Sequence, residues 1–258
     1  MPKKWARFPH ADKAYVYDAG ALKKSWARLH KGDCEPFPTD AAILKAWQHF
    51  HAGDFAAAVE AGRSAGGSGV NAAVKAQAVY ANYLEKAEKA RLALFEQAAG
   101  WADERRGTAR RDANSHYLYA FALGRYGQGI SVAKALAQGY GGRIKEALTT
   151  ALELEPKHAD AHIAFGAYQT EVIGKVGGLV AGVTYGARKD SALEHYKMAL
   201  KLNPASAIAR IEFANGLLRL FGKDRMADAE KLYTEAAACT PVDAMERLDV
   251  ELARSELE

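Results

Sequence analysis

Cysteine is almost absent: Cys34 and Cys239 are the only two in 258 residues. Neither sits in a Cys-x-x-Cys, so the sequence carries no disulfide framework and no cysteine metal quartet, and it fits a reducing compartment. Prolines number only seven, and no segment alternates apolar and polar residues long enough to make a strand. Long apolar runs are missing as well. The first thirty residues are broken by Lys3, Lys4, Arg7, Pro9 and Asp12, which excludes a secretory signal in the chain as it stands. The expected location is therefore cytoplasmic, or periplasmic if Met1 replaces a removed leader. Residues 172–186 are apolar and Gly-rich but interrupted by Lys175, and they fall short of the ~20 residues a membrane span requires. An interfacial segment or a Gly-rich hairpin packed on its neighbour are the readings that remain.

Catalytic motifs are missing too. The glycines of residues 124–129 and 174–178 do not follow a strand and do not match Gly-x4-Gly-Lys-Ser/Thr, so they are not a phosphate loop. There is no nucleophile elbow around a serine, and spacing reveals no pair of carboxylates in an acid-base context. His158 and His162 lie four apart, but without a third ligand or the glutamate of His-Glu-x-x-His they read as capping and packing residues. His49 and His51, two apart, point to different sides of a helix. The expectation is a protein with no cofactor, no metal and no enzyme activity.

Alanine-rich segments with apolar residues three and four apart are abundant, and they make the chain all-α. Within them one pattern recurs. Ala151, Leu152, Leu154 and Pro156 are matched by Ala199, Leu200, Leu202 and Pro204. Ala192, Tyr196, Ala199 and Pro204 are matched in turn by Ala229, Tyr233, Ala236 and Pro241. In each copy two small residues and one aromatic share a helix face, and a proline ends the helix. Gly166, ten residues beyond Pro156, falls where a closely approached helix needs no side chain. The pattern resembles the tetratricopeptide repeat (TPR), a helix-turn-helix unit of about 34 residues. Pro156 and Pro204 are 48 residues apart (204 − 156) and Pro204 and Pro241 are 37 (241 − 204), so one repeat carries a large insertion.

Repeats are therefore expected over about 39–70, 71–111, 112–156, 157–204 and 205–241. They would be flanked by an N-terminal capping segment, 1–38, and a C-terminal capping helix, 242–258. In the first, Asp18 caps a helix presenting Leu22, Trp26 and Leu29. Thr39 and Asn71 are expected to cap the helices that follow them. Two insertions, 129–142 and 172–189, fall between helices A and B of consecutive repeats, so stacking should make them neighbours. The run HYLYAFALGRYGQ ahead of a helix B motif, with a Gly-rich insertion in the next repeat, is similar to the regulator-of-microtubule-dynamics proteins. It is also similar to the T component associated with some bacterial TRAP transporters. Those relatives imply a binding or adaptor role without chemistry.

Charge is unevenly placed. Residues 1–35 carry eight Lys/Arg against four Asp/Glu, residues 243–258 carry two against six, and residues 105–145 carry eight against Asp112 alone. The middle stretch reads as a solvated face, because it lacks a nucleic-acid-reading motif, and no specific nucleic acid partner is expected.

The leading functional reading is a right-handed TPR superhelix, elongated in shape, whose concave groove holds a protein segment or small ligand. Helix A residues not needed for packing inside a repeat would line it: Tyr117, Arg125, Tyr126, His162, Tyr168, Arg210 and Asn215. The inserted edge adds Tyr140, Arg143, Lys175, Tyr185 and Arg188. Aromatics with arginine make adhesive contact surfaces. The competing reading is a carrier or enzyme with a small-molecule pocket roofed by the two insertions.

Overall fold

The computed structural model describes residues 5–258; Met1–Lys4, with Lys3 and Lys4 of the basic N-terminus, lie outside the described residues. Among the described residues every regular element is helical. Helix α1 (Ala19–Leu29) precedes five pairs. These are α2 (Ala41–Ala52) with α3 (Phe55–Ala65), α4 (Gly69–Tyr83) with α5 (Glu88–Thr108), and α6 (Ala113–Gln128) with α8 (Tyr140–Leu154). Then come α9 (Ala159–Val176) with α11 (Lys189–Leu202) and α12 (Ala207–Phe221) with α13 (Met226–Ala237), before a last helix, α14 (Ala244–Ser255). The insertions hold a short helix α7 (Val132–Ala137) and a turn of helix α10 (Gly178–Val180) that runs into a π-helical turn, Ala181–Tyr185. The chain is thus an all-α solenoid of helix pairs. No helix among the described residues is long and apolar enough to cross a membrane.

The recurring Ala-aromatic-Ala face does the packing. Ala192, Tyr196 and Ala199 of α11 are fully buried, as are Ala229 and Ala236 of α13. The Tyr196 ring wedges between α9 and α12. A Cβ at Gly166 would lie 2.8 Å from its Cε1, and a Cβ at Gly216 would lie 2.6 Å from its Cε2. Both helices therefore need glycine where the ring meets them. Each buried Leu, Val or Phe on such a face contributes about 1.5–3 kcal/mol.

Capping follows side-chain chemistry with some substitutions of position. Asp18 Oδ1 accepts from the Ala21 amide, as expected, and Leu22, Trp26 and Leu29 are buried together. His158 caps α9 by accepting from the Ala161 amide through Nδ1, a rare use of an imidazole. Asp40, not Thr39, caps α2. Asn71 does not cap α4, which starts at Gly69; it lies inside the helix, buried, with its amide turned elsewhere.

The expectation of an elongated shape is corrected by α14, the expected C-terminal capping helix. This helix packs on α12 and α13 but also returns to the beginning of the chain. Glu246 forms a two-pronged ion pair with Arg28 (2.6 and 2.9 Å), Asp243 meets His51 at 2.8 Å, Tyr17 donates to the Val242 carbonyl at 2.7 Å, and Tyr83 donates to Asp249. Of the charges at the two ends Arg28 and Glu246 pair directly, and these contacts tie α14 to α1, α2 and α4 and to the segment before α1.

Candidate functional site

The concave floor is built from the first turns of α4, α6 and α9, and residues 30–36 of the chain itself lie across it. The Gly32 carbonyl accepts from the Asp160 amide at 3.0 Å. Asn114 Nδ2 donates to the Asp33 carbonyl at 2.9 Å and to Glu35 Oε2 at 2.7 Å, while Asn71 Nδ2 reaches the same carboxylate at 3.3 Å. Because His158 Nδ1 accepts at the helix cap, its Nε2 carries the proton and donates to Asn114 Oδ1 at 2.9 Å. Lys75 Nζ binds Asp33 Oδ2 at 2.6 Å, and His30 Nδ1 binds Asp33 Oδ1 at 2.9 Å. All of these side chains are buried.

Burial alone would raise the Asp33 carboxyl, but Lys75 and His30 outweigh it and hold it well below the usual carboxylate range. Glu35 has no such cation; burial, with Asp33 and Asp112 nearby, pushes it well up. Cys34, between them, adopts a left-handed φ of +51°, uncommon for a residue with a side chain. Burial raises its thiol to about 11, which leaves it protonated and unreactive. Residues 30–36, a turn closed by the Cys34 amide on the His30 carbonyl at 2.9 Å, thus occupy polar groups of the concave floor that a ligand would otherwise meet.

Beyond this segment the helices line a partly open chamber of about 190 Å³. Its wall is mostly apolar, with Val79, Ala120, Phe121, Ile144, Leu148 and Ile163 among its residues. At one end stand Lys75, Tyr117, Asp160, Tyr83 and Asp249; at the other, the insertions supply Val132, Leu136, Tyr140 and Tyr185. Burial raises Asp160 to about 6 against the pull of Lys75, 3.7 Å away, and raises Asp249 to about 8. Arg125 Nη2, also on the wall, is paired with Glu212 Oε1 at 2.6 Å.

The two insertions meet, as the repeat alignment requires. A Cβ on Gly141, at the start of α8, would lie 2.8 Å from Tyr185 Cε1. Their outer tips are apolar and exposed: Leu179 and Val183 are each 83% accessible, and Leu136 and Val180 are each 48%. Lys175, beside them, donates to the Gly127 carbonyl at 3.3 Å and pairs with Glu171 at 3.1 Å; burial lowers its pKa.

Of the residues expected to line the groove and its edge, Tyr117, Arg125, Tyr140, Tyr168, Lys175 and Tyr185 come together on the chamber wall. The others do not. Tyr126 is buried against Tyr140 and Lys134, under α7. Arg143 lies over the Tyr119 ring and approaches Asp103 at 3.9 Å, and Arg188 is exposed before α11, its backbone amide held by Gln169. His162 Nε2 donates to the Pro156 carbonyl, so its Nδ1 accepts from His195 Nδ1 at 2.8 Å. Arg210 folds back onto the Pro204 and Ser206 carbonyls, and Asn215 accepts from Tyr233 at 2.6 Å. Those two fasten repeats internally, because a helix A side chain near the B helix meets its own pair first.

The inner polar end, Lys75, Tyr83, Asp160 and Asp249, escaped the sequence reading. A signal existed in Lys75, the single charge in the fifteen residues of α4. Part of the basic stretch 105–145 is consumed internally: Arg105 pairs with Asp112, Arg106 with Asp103 and Glu146, and Arg125 with Glu212.

A family model described as Regulator of microtubule dynamics protein 1-3 matches residues 70–257. Among solved structures, a thermophilic TPR protein of Thermus thermophilus is similar with a TM-score of 0.56 at 18% identity, over 83% of this chain and 97% of that one. At that identity the likeness concerns the fold. No curated protein matches in sequence.

Proposed function

The chain belongs to the regulator of microtubule dynamics protein 1-3 family, and from that premise we propose that it is a non-enzymatic binding protein whose ligand is a small, largely apolar molecule held in the chamber. Family and fold point to a helical repeat protein of the adaptor type. The finer reading rests on one observation: a partly open, mostly apolar chamber whose insertion end carries exposed Leu136, Leu179, Val180 and Val183. Apolar walls with a few convergent polar groups are the general form of a small-molecule site. Exposed apolar tips beside the chamber would let such a ligand pass without crossing water.

A peptide-binding groove is the second reading. It is weakened by residues 30–36, whose carboxylates and carbonyls already saturate Asn71, Lys75 and Asn114. A partner peptide would first have to displace them.

The test is binding of a fluorescent apolar probe by the full chain and by Ala167→Trp, which fills the chamber from α9. The expected result is saturable one-site binding by the parent chain and at least tenfold weaker binding by the variant, with unchanged helicity. The milder Ala164→Leu should fall between them. Equal binding by all three chains would place the ligand elsewhere and sink the reading.

A further inference from the structure

Resting on the chamber reading, we infer that the ligand is an amphipathic cation, an aliphatic chain ending in an ammonium group, received by Asp249 and Asp160 at the chamber's inner end. The argument is a count of charges and their partners. Three cations line the chamber, Lys75, Arg125 and Lys175. Each already has its own carboxylate at short range: Asp33 at 2.6 Å, Glu212 at 2.6 Å and Glu171 at 3.1 Å. None is left to receive an anionic headgroup.

Two of the four carboxylates on the wall, Asp249 and Asp160, are in the opposite position. Among the described residues no cation lies within ion-pair distance of Asp249, whose one hydrogen bond comes from the Tyr83 hydroxyl onto Oδ1. Asp160 has only Lys75 at 3.7 Å, and Lys75 is already bound more closely to Asp33. Both carboxyls line the chamber, and each is close enough to a second acid to feel its charge. Tyr117, also on the wall and only 7% accessible, has a hydroxyl without a hydrogen bond among the described residues. An ammonium group offers three donors and would find there two carboxylate oxygens and a phenolic oxygen.

The remaining charges around Asp249 do not change the sign. On its own helix Asp243 is held by His51 and Glu246 by Arg28, while from α6 and α12 Arg125 and Glu212 cancel one another. A buried carboxyl left without a cation stays protonated or destabilises the fold, and a cationic ligand relieves both. That is the state burial imposes on Asp249, whose carboxyl is raised to about 8. From the inner end the apolar wall runs along α9 from Ile163 to Val176, about 20 Å at 1.5 Å per residue, a length suited to an extended alkyl chain.

The experiment is calorimetric titration of the full chain, stripped of bound small molecules, with three probes of equal chain length: decylamine, 1-decanol and decanoate. Decylamine is expected to bind at least tenfold more tightly than either of the others. Asp249→Asn, which keeps the acceptor for Tyr83, is expected to lower decylamine affinity tenfold or more and to leave decanol unchanged. Asp160→Asn serves as the second variant and carries the same comparison if the first does not fold. Decanoate binding as well as decylamine, or decylamine binding unaltered in both variants, overturns the inference while leaving the chamber reading standing. Failure of all three probes to bind overturns both.

Discussion

Lys75→Met tests whether the chain's own residues 30–36 are held on the concave floor by charge. Methionine matches the aliphatic stem of lysine, so the chief loss is the ammonium group. Asp33 is left buried, its side chain 2% accessible, with its 2.6 Å partner gone. Removing one member of a buried pair costs about 3–5 kcal/mol; the lower end is expected here, about 3 kcal/mol, because His30 still reaches Asp33 at 2.9 Å. In a chain of this size each kcal/mol moves Tm by about 2–4 °C, so thermal melting followed at 222 nm should shift down by about 6–12 °C.

Two further readouts separate charge from packing. Asp33→Asn combined with Lys75→Met removes both charges and should recover at least half of the loss. In Lys75→Met alone the repulsion of Lys75 on His30 is gone, so the His30 pKa, which burial holds below its ordinary value, rises part of the way back. A histidine lowered in the folded state costs stability as pH falls through its unfolded value of about 6.5, and in the variant that cost is smaller. The deficit of the variant should therefore shrink as pH falls below that value. Hydrogen exchange of the Asp160 amide, bonded to the Gly32 carbonyl, should quicken. A single variant within about 0.5 kcal/mol of the parent, or a double variant no more stable than the single, would refute the reasoning.

Other outcomes follow from the same contacts. Gly216→Ala gains about 1 kcal/mol of helix propensity but drives a methyl to 2.6 Å from a Tyr196 ring confined on its other side by Gly166. Overpacking of about 1–3 kcal/mol should win, leaving a net loss of about 1 kcal/mol in urea denaturation; a gain would mean that the ring has room. Asp249 has a folded-state pKa of about 8, so the folded chain binds more protons than the unfolded one between about pH 4 and 8 and stability falls as pH rises through that window. Asp249→Asn should flatten this fall, and identical pH profiles for variant and parent would show that Asp249 does not titrate there.

The sequence by itself was enough for the helix pairs, because their cause is local. Ala192, Tyr196 and Ala199 fall on one face by helical periodicity alone, Pro156 and Pro204 stop helices wherever they occur, and Gly166 signals a close approach before its partner is known. The adjacency of the two insertions was legible too, since stacking of repeats carries an alignment into space. What the helices enclose was decided only in three dimensions. The closure of α14 onto α1 and α2 joins Glu246 to Arg28 across 218 residues, and nothing in the local pattern of either helix encodes that meeting. The same holds for Asp33 on Lys75 and for Asp249 beside Tyr83. On paper Asp249 is one acid among six near the C-terminus. Burial makes it different, and burial depends on the accumulated rotation of successive repeats, which sums small angles set by every interface in the chain.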